Sequence, residues 1–249
     1  NYLAKNKKLN HIILITKNSK IFNKYKENIT YFDIRNIENI IKFIKKIQIK
    51  NVLIIGYVDL PQIKEIKLSL SSKLILSKNF FSNDINNQSK LLKKFIESKK
   101  LKLISQKMIF NKFLVNYSDQ HIKKDHKNLY KYILKNTTII KKIFSLNLSQ
   151  SLVMDGDRII TIEDIFGTNN MISKFNKLNN KFKNLIFIKS IKKDQIHEID
   201  FPVIGNQTLD LLIKFNFKAI CLLNKNIIIS NKNLFIQNII KSKLSLIVI

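Results

Sequence analysis

The stretch KSIKKDQIHEIDFPVIGNQT, residues 189–208, holds one of the two prolines and one of the four glycines of the chain. An apolar run at residues 185–188 precedes it, and a helix-like pattern at residues 208–215 follows it. A strand, a polar loop and a helix in this order is how α/β proteins place polar groups at the end of a sheet. The stretch therefore predicts an α/β fold with a functional loop after a strand.

Asp200 is the carboxylate of this loop that we expect to carry chemistry. Pro202 fixes the backbone just after it, and Gly205 is expected to permit a turn that a side chain would block. A plainer interpretation is a turn in which Asp200 caps the helix that begins at Thr208. The pattern of residues leaves both interpretations open.

The composition is strongly basic, with 45 Lys and Arg against 17 Asp and Glu and a net charge of +28 over 249 residues. Such a charge commonly indicates a nucleic-acid or anionic-membrane partner. Here the lysines are scattered along the chain, and Lys, Asn, Ile and Phe all have AT-rich codons. Because no nucleic-acid-binding motif accompanies the charge, we expect no specific nucleic-acid partner.

The hydrophobic content of 45% is enough for a substantial core in one large domain or two ordinary ones. Cys221 is the only cysteine, which excludes an intrachain disulfide. It lies in the apolar run AICLL, so we expect a buried, inert thiol in a reducing compartment. No apolar run approaches the ~18 residues that a membrane span requires.

The first half reads as strand, helix and strand. Short β-branched runs at residues 11–16, 31–34 and 51–55 predict strands, and isoleucines at helical spacing predict a helix over residues 36–47. This order indicates a parallel sheet in a diverged Rossmann-like domain, with a ligand loop at GYVDLP, residues 56–61. The segment TKNSKIF, residues 16–22, stands where a nucleotide-binding domain usually carries glycines. A helix at 89–98 and a strand at 101–104 complete this half.

The second half predicts a separate α/β domain. We expect a helix from Ser118 to residue 145, a hairpin of strands 151–154 and 158–162, a helix from Asn170, a second hairpin of strands 219–223 and 227–230, a helix at 233–241 and a strand at 245–249. The predicted fold is thus two α/β domains, residues 1–116 and 117–249. Each has its own sheet, and a substrate cleft lies between them.

Two polar loops of the second half are expected to converge. One contains Glu163 and Gly167, and the other contains Asp200. Each follows a strand and precedes a helix, and the carboxyl ends of parallel strands open at the same edge of a sheet.

The motifs of the second half resemble those of one known family. The segment QSLVMDGDRIITIEDIFGTNNMI, residues 150–172, is similar to QSVVV, a glycine hairpin and V(I/L)A(V/I)EAxEGTDxMI. The segment IFIKSIKKDQIHEIDFPVIGNQT, residues 186–208, is similar to VLVKxxKPxQDxRxDxPTxGxxT. These patterns are those of the alphaproteobacterial-type UDP-2,3-diacylglucosamine pyrophosphatases, hydrolases of lipid A synthesis. The resemblance covers about residues 117–249, whereas the first half matches weakly, through NVLIIGYVDLP.

The resemblance implies that UDP-2,3-diacylglucosamine is hydrolysed to UMP and 2,3-diacylglucosamine 1-phosphate with help from Mg²⁺. It also implies a cytoplasmic protein that forms a homodimer and binds peripherally to the anionic surface of the inner membrane. Asp200 takes the place of a catalytic and metal-binding carboxylate. The residues implied to bind substrate are Glu163, Gly167, Thr168, Asn169, Gln195, Gly205 and Thr208.

The chain also departs from the family pattern. Phe166, Asn169 and Ile196 replace carboxylates, and Glu198 replaces an arginine. Glu198 lies two residues from Ile196 and would face the same side of an extended segment, so it is predicted as a second catalytic carboxylate. The alternative is a catalytically impaired relic that keeps the fold and UDP-lipid binding.

Overall fold

The structure is a computed structural model, and it describes residues 12–15, 29–33, 36–56, 85–177, 182–223 and 225–249. The chain divides into two compact units, Asn1–Ile104 and Ser105–Ile249. The predicted seam, between residues 116 and 117, lies further along the chain and stays a prediction. The segment TKNSKIF and most of the predicted ligand loop at residues 56–61 fall outside the described residues.

The first unit contains two pairs of strands and two helices within its described residues. In chain order they are β1 Ile12–Ile15, β2 Ile29–Phe32, α1 Ile37–Lys46, β3 Asn51–Val52, α2 Ile85–Ser98 and β4 Lys102–Leu103. β1 pairs with β2 and β3 pairs with β4, both in parallel. The predicted strand–helix–strand unit would place β2 and β3 in one parallel sheet, whereas in the described residues they belong to two separate pairs. β3 is shorter than the predicted strand at residues 51–55.

Helix α1 forms because its apolar residues fall on one side. Ile40, Ile41 and Ile44 are buried, at the spacing of one helical face. Glu38 lies in the first turn and lysines lie in the last, which is the arrangement that the helix dipole favours.

The second unit is built around one five-stranded sheet. Its elements are α3 Gln106–Ile109, α4 Lys127–Ser145, β5 Ser151–Asp155, β6 Arg158–Ile162, α5 Thr168–Ser173, β7 Leu185–Ser190, β8 Val203–Ile204, α6 Asn206–Lys214, β9 Ala219–Leu223, β10 Ile228–Ile229, α7 Lys232–Lys241 and β11 Ser245–Val248. The strand order is β11-β9-β7-β5-β6. β7, β9 and β11 are parallel, whereas β5 runs antiparallel to both β6 and β7. The mixed α/β class and the two-domain arrangement are therefore as predicted.

Alternating residues of this sheet fill two cores. Val153, Phe187 and Ile220 belong to the core on the side of α5, α6 and α7. Leu152 and Ile188 point to the other face, where they share a core with residues of α4. Helices thus cover both faces, which explains why the central strands are apolar on both sides.

Two predicted elements are wrong in the second unit. The predicted hairpin over residues 219–230 does not form, because β9 pairs in parallel with β7 and β11, and β10 pairs in parallel with β8. The helix predicted from Ser118 begins at Lys127. Before it, Asn116 and Asp119 form a capping box around a short 3₁₀ turn, in which the Asn116 N–H donates to Asp119 Oδ2 at 2.6 Å.

No helix within the described ranges is both long enough and apolar enough to cross a membrane.

Cys221 provides a test of this core. It is fully buried, as predicted, and burial raises the pKa of its thiol to about 12. Because alkylation requires an accessible thiolate, we expect iodoacetamide at neutral pH to leave the native protein unlabelled and to label it after denaturation in urea. The measurement is the mass of the intact protein, and stoichiometric labelling of the native form would contradict the packing of β9.

Candidate active site

The amino end of β5 and the carboxyl ends of β6 and β7 meet at one edge of the sheet. This follows from the antiparallel pairing of β5 with both neighbours. Ser151 lies opposite Lys189 across β5 and β7. The Glu163 N–H, just past β6, donates to the Ser151 carbonyl oxygen at 2.9 Å. The two polar loops singled out in the sequence therefore leave the sheet side by side.

A side-chain hydrogen bond joins these two loops. Thr208 Oγ1, in the first turns of α6, donates to Asn169 Oδ1, in the first turn of α5, at 2.7 Å. Thr208 is buried. The loop that follows β6 and the loop that follows β7 thus meet through residues of the helices that end them.

Asp200 is an exposed carboxylate held from one side. Its Oδ2 accepts Nε2–H bonds from Gln195 at 2.7 Å and from Gln150 at 2.8 Å. Neither amide binds Oδ1, so that oxygen is left for another partner. The plainer interpretation, in which Asp200 caps the following helix, is wrong, because the N-cap of α6 is Gly205.

Gln195 is buried behind Asp200. Its Nε2 donates to Asp200, and its Oε1 accepts the Lys192 N–H at 3.2 Å. Both ends of the amide are therefore engaged inside the loop. This placement suits a side chain that orients the carboxylate, and its predicted contact with substrate stays a prediction.

Glu163 and Thr168 form the other wall of the site. Thr168 Oγ1 donates to Glu163 Oε1 at 2.6 Å. Glu163 Oε2 is buried and has no hydrogen-bond partner. Burying an acceptor without a partner costs about 1–3 kcal/mol. Glu163 Oε2 is therefore an acceptor that lacks a hydrogen-bond donor within the described protein residues.

Lys189 is the residue that sequence reasoning missed. It is the penultimate residue of β7, and only 3% of its surface is exposed. Its Nζ donates to Ser151 Oγ at 3.0 Å and to Thr168 Oγ1 at 3.3 Å. Burial lowers the pKa of its ammonium, whereas the nearby carboxylates of Glu163 and Asp200 act in the opposite direction.

A signal for Lys189 was present in the sequence. It directly follows the apolar run at residues 185–188 and stands two residues after Phe187. Strand alternation therefore places it on the same covered face as Phe187. It also matches the lysine of the family pattern VLVK. A charged residue at the end of a buried strand indicates a paired or functional group.

The glycines of the two loops differ in what their backbones require. Gly167 has φ of 86°, a conformation that side chains disfavour, and it is the N-cap of α5. Gly205 has φ of −137°, and an added Cβ would lie 3.6 Å from Ser230 Cβ, an ordinary contact. The expectation that Gly205 permits a turn that a side chain would block is therefore wrong.

The replaced family positions lie around the same edge. Phe166 and its neighbour Ile165 are 70% and 82% exposed. The side chain of Asn169 accepts a hydrogen bond from the Thr208 hydroxyl. Glu198 lies in a turn in which the Asp200 N–H donates to the Ile196 carbonyl, not in an extended segment. The alternation argument that made Glu198 a substitute for the lost carboxylate at Ile196 is therefore wrong.

The described residues offer a magnesium ion only part of a coordination shell. They contain no group of three or more His, Cys, Asp or Glu side chains that could hold a metal. Asp200 contributes one exposed carboxylate oxygen that its glutamine partners leave open. Mg²⁺ in phosphate sites is commonly held by one or two carboxylates, with phosphate oxygens and water completing the shell. The donor set fits an ion that shares Asp200 with a phosphorylated ligand.

A cavity of about 620 Å³ lies at the opposite edge of the sheet. It opens where β7, β9 and β11 begin, and Asn184, Lys218 and Leu244 line it. None of the predicted site residues lines it. The second unit thus has two separate polar edges, and the sequence motifs gather at only one of them.

Comparison with protein families covers both halves of the chain. The LpxI N-terminal domain model matches residues 3–113, and the LpxI C-terminal domain model matches residues 118–247. No curated protein matches the chain significantly. The C-terminal match contains every residue discussed at this edge of the sheet. The chain belongs to the LpxI family, hydrolases of lipid A biosynthesis.

Proposed function

We propose that the chain hydrolyses the pyrophosphate of UDP-2,3-diacylglucosamine to UMP and 2,3-diacylglucosamine 1-phosphate. The observation that carries this proposal is the exposed carboxylate of Asp200, which two glutamine amides hold by one oxygen at the edge where the family motifs meet. Family membership supports the substrate, and the arrangement of the edge supports the chemistry.

Asp200 is the group that we assign to the attacking water. A water molecule bound to its free Oδ1 would lose a proton to the carboxylate as its oxygen forms a bond to phosphorus. The bond from that phosphorus to the bridging oxygen breaks, and the other phosphate leaves with the bridging oxygen. Gln150 and Gln195 contribute by fixing the direction of the carboxylate, because both bind the same oxygen.

The starts of the two loop helices supply donors for phosphate oxygens. The first N–H groups of a helix have no partner within it, and they carry the positive end of the helix dipole. Neither α5 nor α6 has a side chain bonded as its N-cap. We assign the backbone around Gly167 and Gly205 to the pyrophosphate, with Glu163, Thr168, Asn169, Gln195 and Thr208 shaping the walls.

Mg²⁺ would be held by Asp200 together with oxygens of the substrate. When bound, such an ion neutralises part of the negative charge of a pyrophosphate, which otherwise repels a nucleophile. We assign Asp200 as the protein ligand of this Mg²⁺ ion.

An alternative remains for the same site. Phe166, Asn169 and Ile196 stand where the family pattern has carboxylates. A protein that binds the UDP-lipid without hydrolysing it would bind UMP at this edge and release none from the substrate. Turnover distinguishes the two functions.

The first test replaces the carboxylate and keeps its shape. In Asp200→Asn the amide oxygen still accepts the two glutamine bonds but no longer takes a proton. We expect UMP release from UDP-2,3-diacylglucosamine to fall about 10²- to 10⁴-fold. Asp210→Asn is the matched control, because Asp210 is an exposed aspartate on α6, and it should keep the parental rate.

Two results would count against the assignment. A parental rate in Asp200→Asn would remove Asp200 from the chemistry. No UMP release from the parental protein would favour the binding-only alternative.

The metal proposal has its own test. We expect EDTA to abolish UMP release and added Mg²⁺ to restore it, since the ion screens the charge of the pyrophosphate. The readout is the initial rate at increasing Mg²⁺ concentration. A rate that EDTA leaves unchanged would exclude a dissociable metal ion.

We also propose that this edge touches an anionic membrane surface, where a diacylated substrate resides. Exposed large apolar side chains cluster on its loops, and they are Leu146, Leu148, Ile165 and Phe166. The net charge of +28 favours anionic lipid. Exposed apolar side chains beside positive charge are the features by which peripheral proteins bind bilayers.

Vesicle binding tests this contact. We expect co-sedimentation with vesicles that contain phosphatidylglycerol, and about a tenfold loss of affinity in the double variant Ile165→Ser, Phe166→Ser, because less apolar surface is buried. Ile139→Ser is the control, since Ile139 is similarly exposed in the middle of α4. Equal losses in both variants would refute a specific contact at this edge.

A further inference from the structure

A buried ammonium group occupies the centre of the site. Lys189 is almost wholly covered, although lysine is among the residues least often buried. It uses two of its three N–H donors on hydroxyl groups, those of Ser151 and Thr168. An ordinary core position would hold an apolar residue here, as at Phe187 on the same face of the strand.

The hydroxyl of Thr168 extends this contact to a carboxylate. Lys189 Nζ donates to Thr168 Oγ1, and Thr168 Oγ1 donates to Glu163 Oε1 at 2.6 Å. The charged end of Lys189 thereby fixes the orientation of the Thr168 hydroxyl, because an oxygen that accepts from an ammonium must direct its own proton elsewhere. Glu163, whose second oxygen has no partner, is the acceptor.

The charges around Lys189 come from two loops. Glu163, after β6, and Asp200, after β7, provide negative charge, and Lys192, in the loop with Asp200, provides positive charge. Removing a buried cation therefore leaves Glu163 with a buried negative charge and no compensation. Removing only one of two buried opposite charges destabilises a protein far more than removing both charges.

A Ser–Lys nucleophile is excluded by burial. Ser151 Oγ and Lys189 Nζ lie 3.0 Å apart, the geometry in which a lysine can activate a serine. Ser151, however, has no exposed surface. Its oxygen cannot reach a phosphorus atom of a substrate at the loop surface, so the pair has another role.

We propose that Lys189 is the positioning residue of the site, whose buried charge holds Thr168 and Glu163 in place beside Asp200. The proposal rests on the proposed function. In this role Lys189 touches neither water nor phosphorus, and it acts through the loop that follows β6. Its loss should therefore reduce turnover while the rest of the binding surface is retained.

The first measurement needs no turnover. We compare the melting temperatures of Lys189→Met, Glu163→Gln and the double variant. Lys189→Met alone should lower the melting temperature by more than about 5 °C. In the double variant both charges are gone, so the melting temperature should recover part of that loss. Effects of the two substitutions that simply add would overturn the proposal, because they would show no coupling between Lys189 and Glu163.

The second measurement separates positioning from packing. In Lys189→Met we expect kcat to fall about 100-fold, with KM changed less than about threefold. In Lys189→Ala, n-propylamine should restore part of kcat, whereas n-propanol, of similar size but uncharged, should not. Lys218→Met removes a charge at the opposite edge of the sheet and should leave kcat unchanged.

The results distinguish a failure of the proposed hydrolysis from a failure of the positioning role of Lys189. If the parental protein releases no UMP, the proposed function fails and Lys189 has no turnover to support. The melting temperatures then still report whether Lys189 and Glu163 are coupled. If the parental protein is active, an unchanged kcat in Lys189→Met, or equal rescue by amine and alcohol, overturns the positioning role.

Discussion

The antiparallel pairing of β5 with both β6 and β7 is the constraint on which the site depends. In an all-parallel sheet the start of β5 would lie at the edge away from the ends of its neighbours. Here Ser151, the first residue of β5, lies opposite Lys189, the penultimate residue of β7. The backbone of Ser151 also receives the N–H of Glu163. The pairing register of β5 thus brings the start of β5 and the ends of β6 and β7 together. The positions of the loops that follow β6 and β7 depend on this register.

The sequence predicted the elements that have local causes. The Asp155-Gly156-Asp157 turn fixed the hairpin of β5 and β6, and apolar runs identified the strands of the sheet. The parallel pairing of β10 with β8 could not be predicted, because residues 227–229 are apolar in a way that suits any buried strand. Its partner is chosen by tertiary packing, which a short run of isoleucines does not encode.

The candidate site was predictable only in part for a similar reason. Asp200 stands out in the sequence because a proline and a glycine follow it closely. Lys189 is one of many lysines in a basic chain, and its burial is a property of the folded sheet. Gly205 was misread because a glycine before a helix suggests a special backbone angle, whereas its φ is one that any residue adopts.

The departures from the family pattern leave the site with a different balance of charge. Asn169 accepts the Thr208 hydroxyl bond with an amide oxygen, so the link between the two loops does not need a carboxylate there. Phe166 is exposed to solvent, so its ring does not have to fit among buried side chains. The chemistry proposed for this chain therefore depends on Asp200 with its glutamine partners and on the support of the Lys189 cluster.

Hydrogen–deuterium exchange in the presence of UMP tests most directly whether this edge is the ligand site. UMP should slow exchange in residues 163–169 and 195–208 and leave residues 123–126 and 242–244, at the cavity of the opposite edge, unchanged. Protection at the opposite edge alone, with none in the loops that follow β6 and β7, would contradict the account.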